Sequence, residues 1–304
     1  GDREGHRPRR ADQTGRAPRA RRGQASGAAI RRRYAEISAR LSQLSSDFSN
    51  HVLDSTQAYS KVLTTEQLKG LPQSSIELLK QYGQQRELDQ PVATLDIPSY
   101  LAIMTYADDR ALREELYHAY VTRASDQAID TQFDNAPVMV EILSLRQEMA
   151  KLLGFDNYAE YSLVTKMAES IEQVLGFLNN LAVRSKSFAE QDIKHLIQFA
   201  KEKLNIGDFK VWDMAYASEK LQQAHYAISD ELLRPYFPED KVFQGMFGVI
   251  EKIYGMKVLE KDNQEKWHEQ VRFFEIYDCQ NNLRGKFYAD LYARPQKQIG
   301  RAHV

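Results

Sequence analysis

Large apolar residues recur at every third or fourth position along most of the chain, which is the spacing of one face of an α-helix. The clearest such stripe comprises Ile37, Leu41, Leu44, Phe48 and Val52, with polar residues between them on the opposite face. A helix with one apolar stripe needs a partner helix to cover it. The predicted helices span about residues 34–60, 72–82, 109–123, 136–153, 212–225 and 241–254. Residues 170–204 form one or two further long helices, and shorter helices begin at Thr64 and Pro98.

Residues that are typical of helix ends lie between the apolar stripes. Thr64 and Gln67 have the spacing of a capping box, in which each side chain bonds the backbone N–H of the other residue. Asp108 lies where an N-cap is needed before the helix at 109–123. Gly154 lies just past the end of another helix, where we expect a left-handed cap.

The apolar period changes near the C-terminus. Segments rich in aromatic and β-branched residues predict strands at about residues 256–260, 271–277 and 286–292, with a further short strand at 92–97. No segment repeats at a fixed period, so a solenoid is excluded. We therefore predict a mainly α fold, in which a helical body (34–255) is followed by the first strands of a small sheet (256–298).

Composition divides the chain at Tyr34. Residues 1–33 hold eleven Arg and three acidic residues, and the remaining 30 basic (41 less 11) and 39 acidic (42 less 3) residues give the body a net charge of −9. Ile30 is the one large aliphatic residue of this arm, so we expect disorder. A nucleic-acid arm, a transit peptide and a twin-arginine signal are alternatives. The abrupt change favours a non-native segment, and we interpret the tail at 299–304 in the same way.

The one cysteine, Cys279, excludes an internal disulfide and suits a reducing compartment. No apolar run approaches the roughly 18 residues of a transmembrane helix. We therefore expect a cytoplasmic protein with no membrane partner.

Motifs for metal binding and nucleophilic catalysis are absent from the sequence. None of the seven His residues has a second His four positions away, the spacing that lets two imidazoles on a helix share a metal. His268 and Glu269 begin like a zinc-peptidase motif, but the fifth residue is Arg272, which cannot bind a metal. There is no Gly-x-Ser-x-Gly elbow and no glycine-rich phosphate loop.

Several longer motifs, in the same order as in a known family, carry more information. They include Leu-Asp-Ile-Pro-Ser-Tyr (95–100), Leu-Gly-Phe-Asp-Asn-Tyr-Ala (153–159), Leu-Arg-Pro-Tyr-Phe-Pro (233–238), Val-Arg-Phe-Phe-Glu (271–275) and Asp-Leu-Tyr-Ala-Arg (290–294). Together they resemble the thimet oligopeptidase family of zinc peptidases over about residues 34–298.

The resemblance implies a helical zincin-type body with a deep channel that admits short unfolded peptides. It also implies a zinc ion held by a His-Glu-x-x-His helix and a later Glu, with the Glu of the motif acting as base on zinc-bound water. That motif is absent from the printed sequence, so no catalytic or zinc-binding residue can be transferred. We expect zinc in the intact parent protein and none in this chain. We also expect a monomeric parent and no nucleic-acid partner.

The same resemblance places the last predicted strand, at about residues 286–292, beside the cleft. Tyr288, Asp290, Tyr292 and Arg294 would alternate onto one face of that strand and line the substrate channel. The alternative is a packed and internally paired strand face. Two hypotheses follow for the chain: an inactive fragment of a zinc oligopeptidase, or a helical peptide-binding module without catalysis.

Overall fold

Ten α-helices and five short strands make up the part of the chain that the computed structural model describes, which comprises residues 24–227, 229–262, 264–292, 294 and 297. The predicted mainly α fold is confirmed. The helices are α1 (Gln24–Ala58), α2 (Gln73–Gln84), α3 (Ile97–Tyr106), α4 (Arg110–Val121), α5 (Ala136–Leu152), α6 (Tyr158–Leu163), α7 (Ile171–Lys203), α8 (Met214–Tyr226), α9 (Asp230–Leu233) and α10 (Glu239–Tyr254).

The strands form two separate antiparallel sheets. In the smaller sheet, β1 (Ser60–Val62) pairs with β2 (Val92–Thr94). In the larger sheet, the order is β3 (Lys257–Glu260), β4 (Arg272–Tyr277) and β5 (Leu283–Ala289). The apolar period therefore identified all three strands of the larger sheet. It missed β1, a three-residue strand with polar residues at two of its positions.

The chain divides into two compact units, and both α1 and α7 have residues in each. The first unit holds residues 24–52, 124–126 and 131–190 of the described chain. Here α1 extends ten residues before Tyr34, where the stripe predicted its start. The last ten residues of the Arg-rich arm (24–33) are therefore helical. Within them, Arg33 donates two hydrogen bonds to Glu148 of α5, at 2.6 and 2.8 Å. Residues 1–23 lie outside the described residues.

A buried asparagine organises the turn before α5 in this first unit. Asn135 is 2% exposed, and its amide group donates to Phe48 O at 3.1 Å. Its Oδ1 lies 2.9 Å from Nδ1 of His51, which donates to it. Because a buried amide without partners would be costly, these bonds fix the approach of α5 to α1.

The second unit holds residues 53–123, 127–130 and the chain from 191 onward. Its main apolar core lies beneath the β1–β2 pair and joins α2, α3 and α4. The buried residues of that core are Leu63, Leu71, Leu79, Ala93, Ile103, Ala107, Leu112 and Leu116. A smaller core joins the end of α7 to α8 through Leu196, Ala200 and Ala217.

An ion-pair network lies beside the main core of the second unit. Asp213 is fully buried, and its carboxylate accepts hydrogen bonds from Arg113 Nη2 and Arg110 Nη2, both at 2.9 Å. The Arg113 side chain is 1% exposed. Although burial alone would raise the pKa of Asp213, the hydrogen bonds from Arg110, from the backbone of Lys210 and from Arg113 hold it below its ordinary value.

Helix α10 has two apolar sides. One side packs Phe243 and Phe247 against Phe274 of β4, with ring centroids 5.3 Å apart in both pairs. The other side exposes a stripe of aliphatic residues with helical spacing. The stripe comprises Val242, Met246, Val249 and Ile253, which are all between 45% and 64% exposed.

The structure tests the predicted helix ends. The Thr64–Gln67 capping box is confirmed, with reciprocal backbone–side-chain bonds of 3.1 and 3.4 Å. Gly154 has the expected positive φ of 89°. The N-cap of α4 is Asp109, whose carboxylate accepts from Leu112 N at 3.1 Å. The assignment to Asp108 was wrong by one position, because Asp108 accepts the Tyr216 hydroxyl at 2.9 Å instead.

Candidate functional site

The four residues predicted to line a channel lie at and just beyond the end of β5. Tyr288 is in the strand, where it pairs with Phe273 of β4. The strand ends at Ala289, so Asp290, Tyr292 and Arg294 follow it and do not alternate along one strand face. That geometric expectation was wrong. The physical reason is that Arg294 and Lys297 bond back to Asp290, which an extended backbone would prevent.

Asp290 is the centre of this segment. Its carboxylate accepts from Arg294 Nη1 and Nη2 at 2.6 and 2.7 Å, from Lys297 Nζ at 2.9 Å and from Trp267 Nε1 at 3.1 Å. The Asp290 side chain is only 18% exposed. The hydrogen bonds from Arg294, and then those from Lys297 and Trp267, hold the pKa of Asp290 far below its ordinary value. Asp290 is therefore a carboxylate at neutral pH, committed to partners within the chain.

Tyr292 belongs to a second network, built on Arg272 of β4. The Tyr292 hydroxyl donates to Glu239 at the start of α10, which also accepts from Arg272 Nη1 at 2.8 Å. Arg272 further donates to Glu260 at 2.6 and 2.8 Å. Its guanidinium lies 4.7 Å from the ring centroid of Phe243. This network ties the segment after β5 to α10 and β3.

Tyr288 is part of an aromatic surface that the sequence did not lead us to expect. Its ring centroid lies 4.9 Å from that of Trp267 and 4.7 Å from that of Phe273. Its hydroxyl donates to Glu265 O at 3.1 Å. Phe273 is buried, whereas Tyr288 is 42% and Trp267 60% exposed. Trp267 itself was the sequence signal that could have predicted this surface. A large aromatic residue is uncommon in a charged loop such as the one before β4.

Among the residues that the structure describes, no three His, Cys, Asp or Glu side chains come together in a way that could hold a metal ion. The carboxylates nearest this site, Asp290, Glu239 and Glu260, are each bonded to an arginine. His268 accepts the backbone N–H of Gln270 at 3.2 Å. The donor set of this site therefore does not fit a zinc ion. No helix within the described ranges is long and apolar enough to cross a membrane.

Comparison with known proteins identifies the family to which the chain belongs. Residues 103–304 match Peptidase family M3. The chain is 51% identical over 270 residues to oligopeptidase A of Salmonella typhimurium (strain LT2) and of Escherichia coli (strain K12), and 38% identical over 279 residues to a probable cytosolic oligopeptidase A of Arabidopsis thaliana. The chain belongs to peptidase family M3, and it is similar to the oligopeptidase A proteins.

These alignments cover 88% of this chain and only 39–40% of the length of each of the three relatives. The family match and these identities confirm the similarity to the thimet oligopeptidase family that the motifs indicated.

Proposed function

We propose that this chain is part of a zinc-dependent oligopeptidase that hydrolyses short unfolded peptides in the cytoplasm. The observation that carries the proposal is the 51% identity to two bacterial oligopeptidase A proteins over 88% of the chain. The Arabidopsis relative is named as cytosolic, which supports the compartment. We propose a monomeric parent protein whose partners are peptides, with no nucleic acid and no membrane among them.

Within this proposal, the end of β5 contributes to the wall of the peptide channel. Tyr288 and Tyr292 expose 42% and 47% of their surface and can reach a ligand. Asp290 and Arg294 bond each other through two short hydrogen bonds. Their role is therefore to hold the wall in shape, and substrate contact falls to the tyrosines. The domain division predicted from the change in apolar period, with a helical body to residue 255 and the first strands of the catalytic region after it, remains part of this proposal.

Zinc is assigned to the whole peptidase and no zinc ligand to this chain. The printed sequence has no His-Glu-x-x-His. The described residues also hold no three-ligand cluster. When bound, zinc would supply a hydroxide at neutral pH and polarise the peptide carbonyl. Since the printed sequence lacks that motif, we propose that the chain alone is inactive.

The test is a turnover assay on the purified chain of 304 residues. A quenched fluorogenic peptide is incubated with the chain and zinc, and oligopeptidase A from Escherichia coli is assayed in parallel as the positive control. We expect cleavage only by the control. Turnover by this chain that a chelator abolishes and zinc restores would overturn the proposed inactivity.

A peptide-binding module without catalysis is the second candidate. It is favoured by the way the polar groups at the end of β5 are paired within the chain, because such a surface can keep its shape without a catalytic centre. Asp290 has three partners of its own, and Tyr292 and Arg272 share Glu239. Calorimetric binding of a short peptide that the chain does not cleave would support this candidate, and failure of the chain to melt cooperatively would argue against it.

The exposed stripe on α10 supports membership in a larger protein. Aliphatic side chains exposed in a row are typical of surfaces that another part of a protein covers. We propose that other residues of the whole peptidase cover this stripe. A hydrophobic dye such as ANS should therefore bind this chain more strongly than it binds intact oligopeptidase A. Equal dye binding would count against the proposal.

A further inference from the structure

Trp267 and Tyr288 form one exposed aromatic surface, which we call the aromatic shelf. The two ring centroids are 4.9 Å apart with the planes tilted by 54°. Phe273 lies beneath Tyr288 and is only 3% exposed. The shelf is therefore backed by the core of the larger sheet and open on its outer side.

Both polar atoms of the shelf are already bonded within the chain. The indole N–H of Trp267 donates to Asp290 Oδ2 at 3.1 Å, and the Tyr288 hydroxyl donates to Glu265 O at 3.1 Å. These bonds restrict the rotation of each ring before any ligand arrives, so binding would cost little additional side-chain entropy. They also leave ring carbon as the main surface that the shelf offers to a ligand. Such a surface favours an aromatic or large aliphatic group.

The charges beside the shelf balance. Arg294 and Lys297 both pair with the single carboxylate of Asp290, so one positive charge is left over. Lys286, further along β5, is paired with Glu275 at 3.1 Å and adds nothing. Glu265 and Lys266, the residues before Trp267, carry opposite charges and cancel, and Glu269, two positions after Trp267, offsets the remaining positive charge. An uncharged aromatic group therefore matches both the shelf and this local charge.

We infer that the aromatic shelf is a specificity-determining subsite that binds an aromatic side chain of a short unfolded peptide. The inference rests on the proposed function and adds the side-chain class that the site selects. Trp267 and Tyr288 contact the peptide. Asp290 is a positioning residue, because it acts by holding the Trp267 indole.

The test compares two acetylated pentapeptides with a free carboxyl end, one with a central phenylalanine and one with alanine throughout. Their binding to the purified chain is measured by calorimetry. We expect the phenylalanine peptide to bind the unmodified chain about tenfold more tightly, in the range that one aromatic contact contributes. Trp267→Ala and Tyr288→Ala should bring that ratio close to one. Tyr254→Ala, which removes a 68% exposed aromatic residue at the end of α10, is the matched control and should leave the ratio unchanged.

Trp267→Phe distinguishes the contribution of the aromatic ring from that of the indole hydrogen bond. This variant keeps an aromatic face and loses the bond to Asp290, so we expect a ratio between those of the unmodified chain and Trp267→Ala. A purely structural role of Trp267 predicts instead that both peptides weaken equally and the ratio stays constant. Circular dichroism melting of each variant identifies any that fails to fold.

The possible outcomes separate the inference from the proposed function. A ratio near one in the unmodified chain, or a ratio that survives Trp267→Ala, overturns the inference and leaves the proposed function standing. Binding of neither peptide argues against the proposed channel wall itself. Concentration-dependent association of the chain that Trp267→Ala abolishes, measured by sedimentation, would assign the shelf to contact between two copies and overturn the peptide subsite.

Discussion

Two regions of the molecule use the same chemistry, arginine paired with carboxylate, in opposite surroundings. In the second unit, Arg113 and Asp213 are 1% and 0% exposed. In the first unit, Arg40 pairs with Glu141 through bonds of 2.6 and 2.7 Å, yet the two side chains are 48% and 41% exposed. The Arg113–Asp213 bond is 2.9 Å long, so bond length does not favour the buried pair, and burial is the main difference. A buried charge that loses its partner has no water to replace it, whereas an exposed one is rehydrated at once.

The largest expected effect is at the buried pair. Asp213→Asn keeps the shape of the side chain but removes its charge, which leaves the buried guanidinium of Arg113 uncompensated. We expect the free energy of unfolding in urea to fall by about 3–5 kcal/mol. Asp208→Asn is the control, since Asp208 is 75% exposed and pairs with Lys210 on the surface. Equal losses in the two variants would remove burial as the explanation.

Arg272 lies between the two extremes, with 22% of its side chain exposed and three carboxylates around it. Arg272→Ala removes these bonds and the stacking of the guanidinium on Phe243. We expect a loss of about 1.5–3 kcal/mol, the range for hydrogen bonds to charged groups. Chemical unfolding monitored by tyrosine and tryptophan fluorescence measures it. A loss no larger than that of Arg284→Ala, a surface arginine that is 58% exposed, would contradict this intermediate rank.

The turn after β4 holds a carboxylate, Asp278, whose contribution to the stability of the fold depends on pH. The backbone N–H of Asn282, with the Asn282 side chain, Arg284 and the Gln280 N–H, lowers the pKa of Asp278 to about 2. An unfolded Asp titrates near 3.9, so the unfolded state binds more protons between these values. The contribution of Asp278 to stability is therefore present above about pH 4 and is lost as the pH falls toward 2.

The measurement for Asp278 is the difference in unfolding free energy between the unmodified chain and Asp278→Asn, followed across this pH range. We expect the difference to shrink steadily as the pH is lowered. A difference that is constant with pH would show that the carboxylate charge contributes nothing to the turn.

The smallest effect is expected at the exposed pair of the first unit. Arg40→Ala should lower the free energy of unfolding by less than either Asp213→Asn or Arg272→Ala, because both partners are well hydrated when separated. The cost should decrease further at 1 M salt, where exposed charges are screened over roughly 3 Å. Urea unfolding at low and high salt provides the comparison. A loss of stability as large as that of Arg272→Ala, and unchanged by salt, would mean that the pair is not behaving as a surface ion pair.

The helices were predictable because their information is local. The spacing of apolar residues located α5, α7, α8 and α10 to within a few residues, and Gly154 adopts the left-handed backbone expected just past a helix end. The N-cap of α4 is harder to predict from the sequence, because the two neighbouring aspartates Asp108 and Asp109 can both serve as the cap. The choice of Asp109 over Asp108 depends on Tyr216, which lies 108 positions away in the sequence.

The candidate site was less predictable because its contacts are distant. Tyr288 was identified from a family motif, but the end of β5 at Ala289 depends on how Asp290 recruits Arg294 and Lys297. Trp267 joins the site through a hydrogen bond that spans 23 positions. No period or spacing in the sequence encodes that bond. The family resemblance therefore located the region. The three-dimensional contacts are needed to show which of its residues support the structure and which form the exposed surface.

The separation of Arg113 from Asp213 also bears on how the protein is made. The two residues are 100 positions apart. At a synthesis rate of roughly 5–20 residues per second, Arg113 leaves the ribosome about 5–20 s before its partner. During that interval the apolar residues of α4 can collapse, but the guanidinium has no carboxylate to accompany it into the interior. The burial of Arg113 together with its carboxylate partner therefore has to follow the synthesis of Asp213.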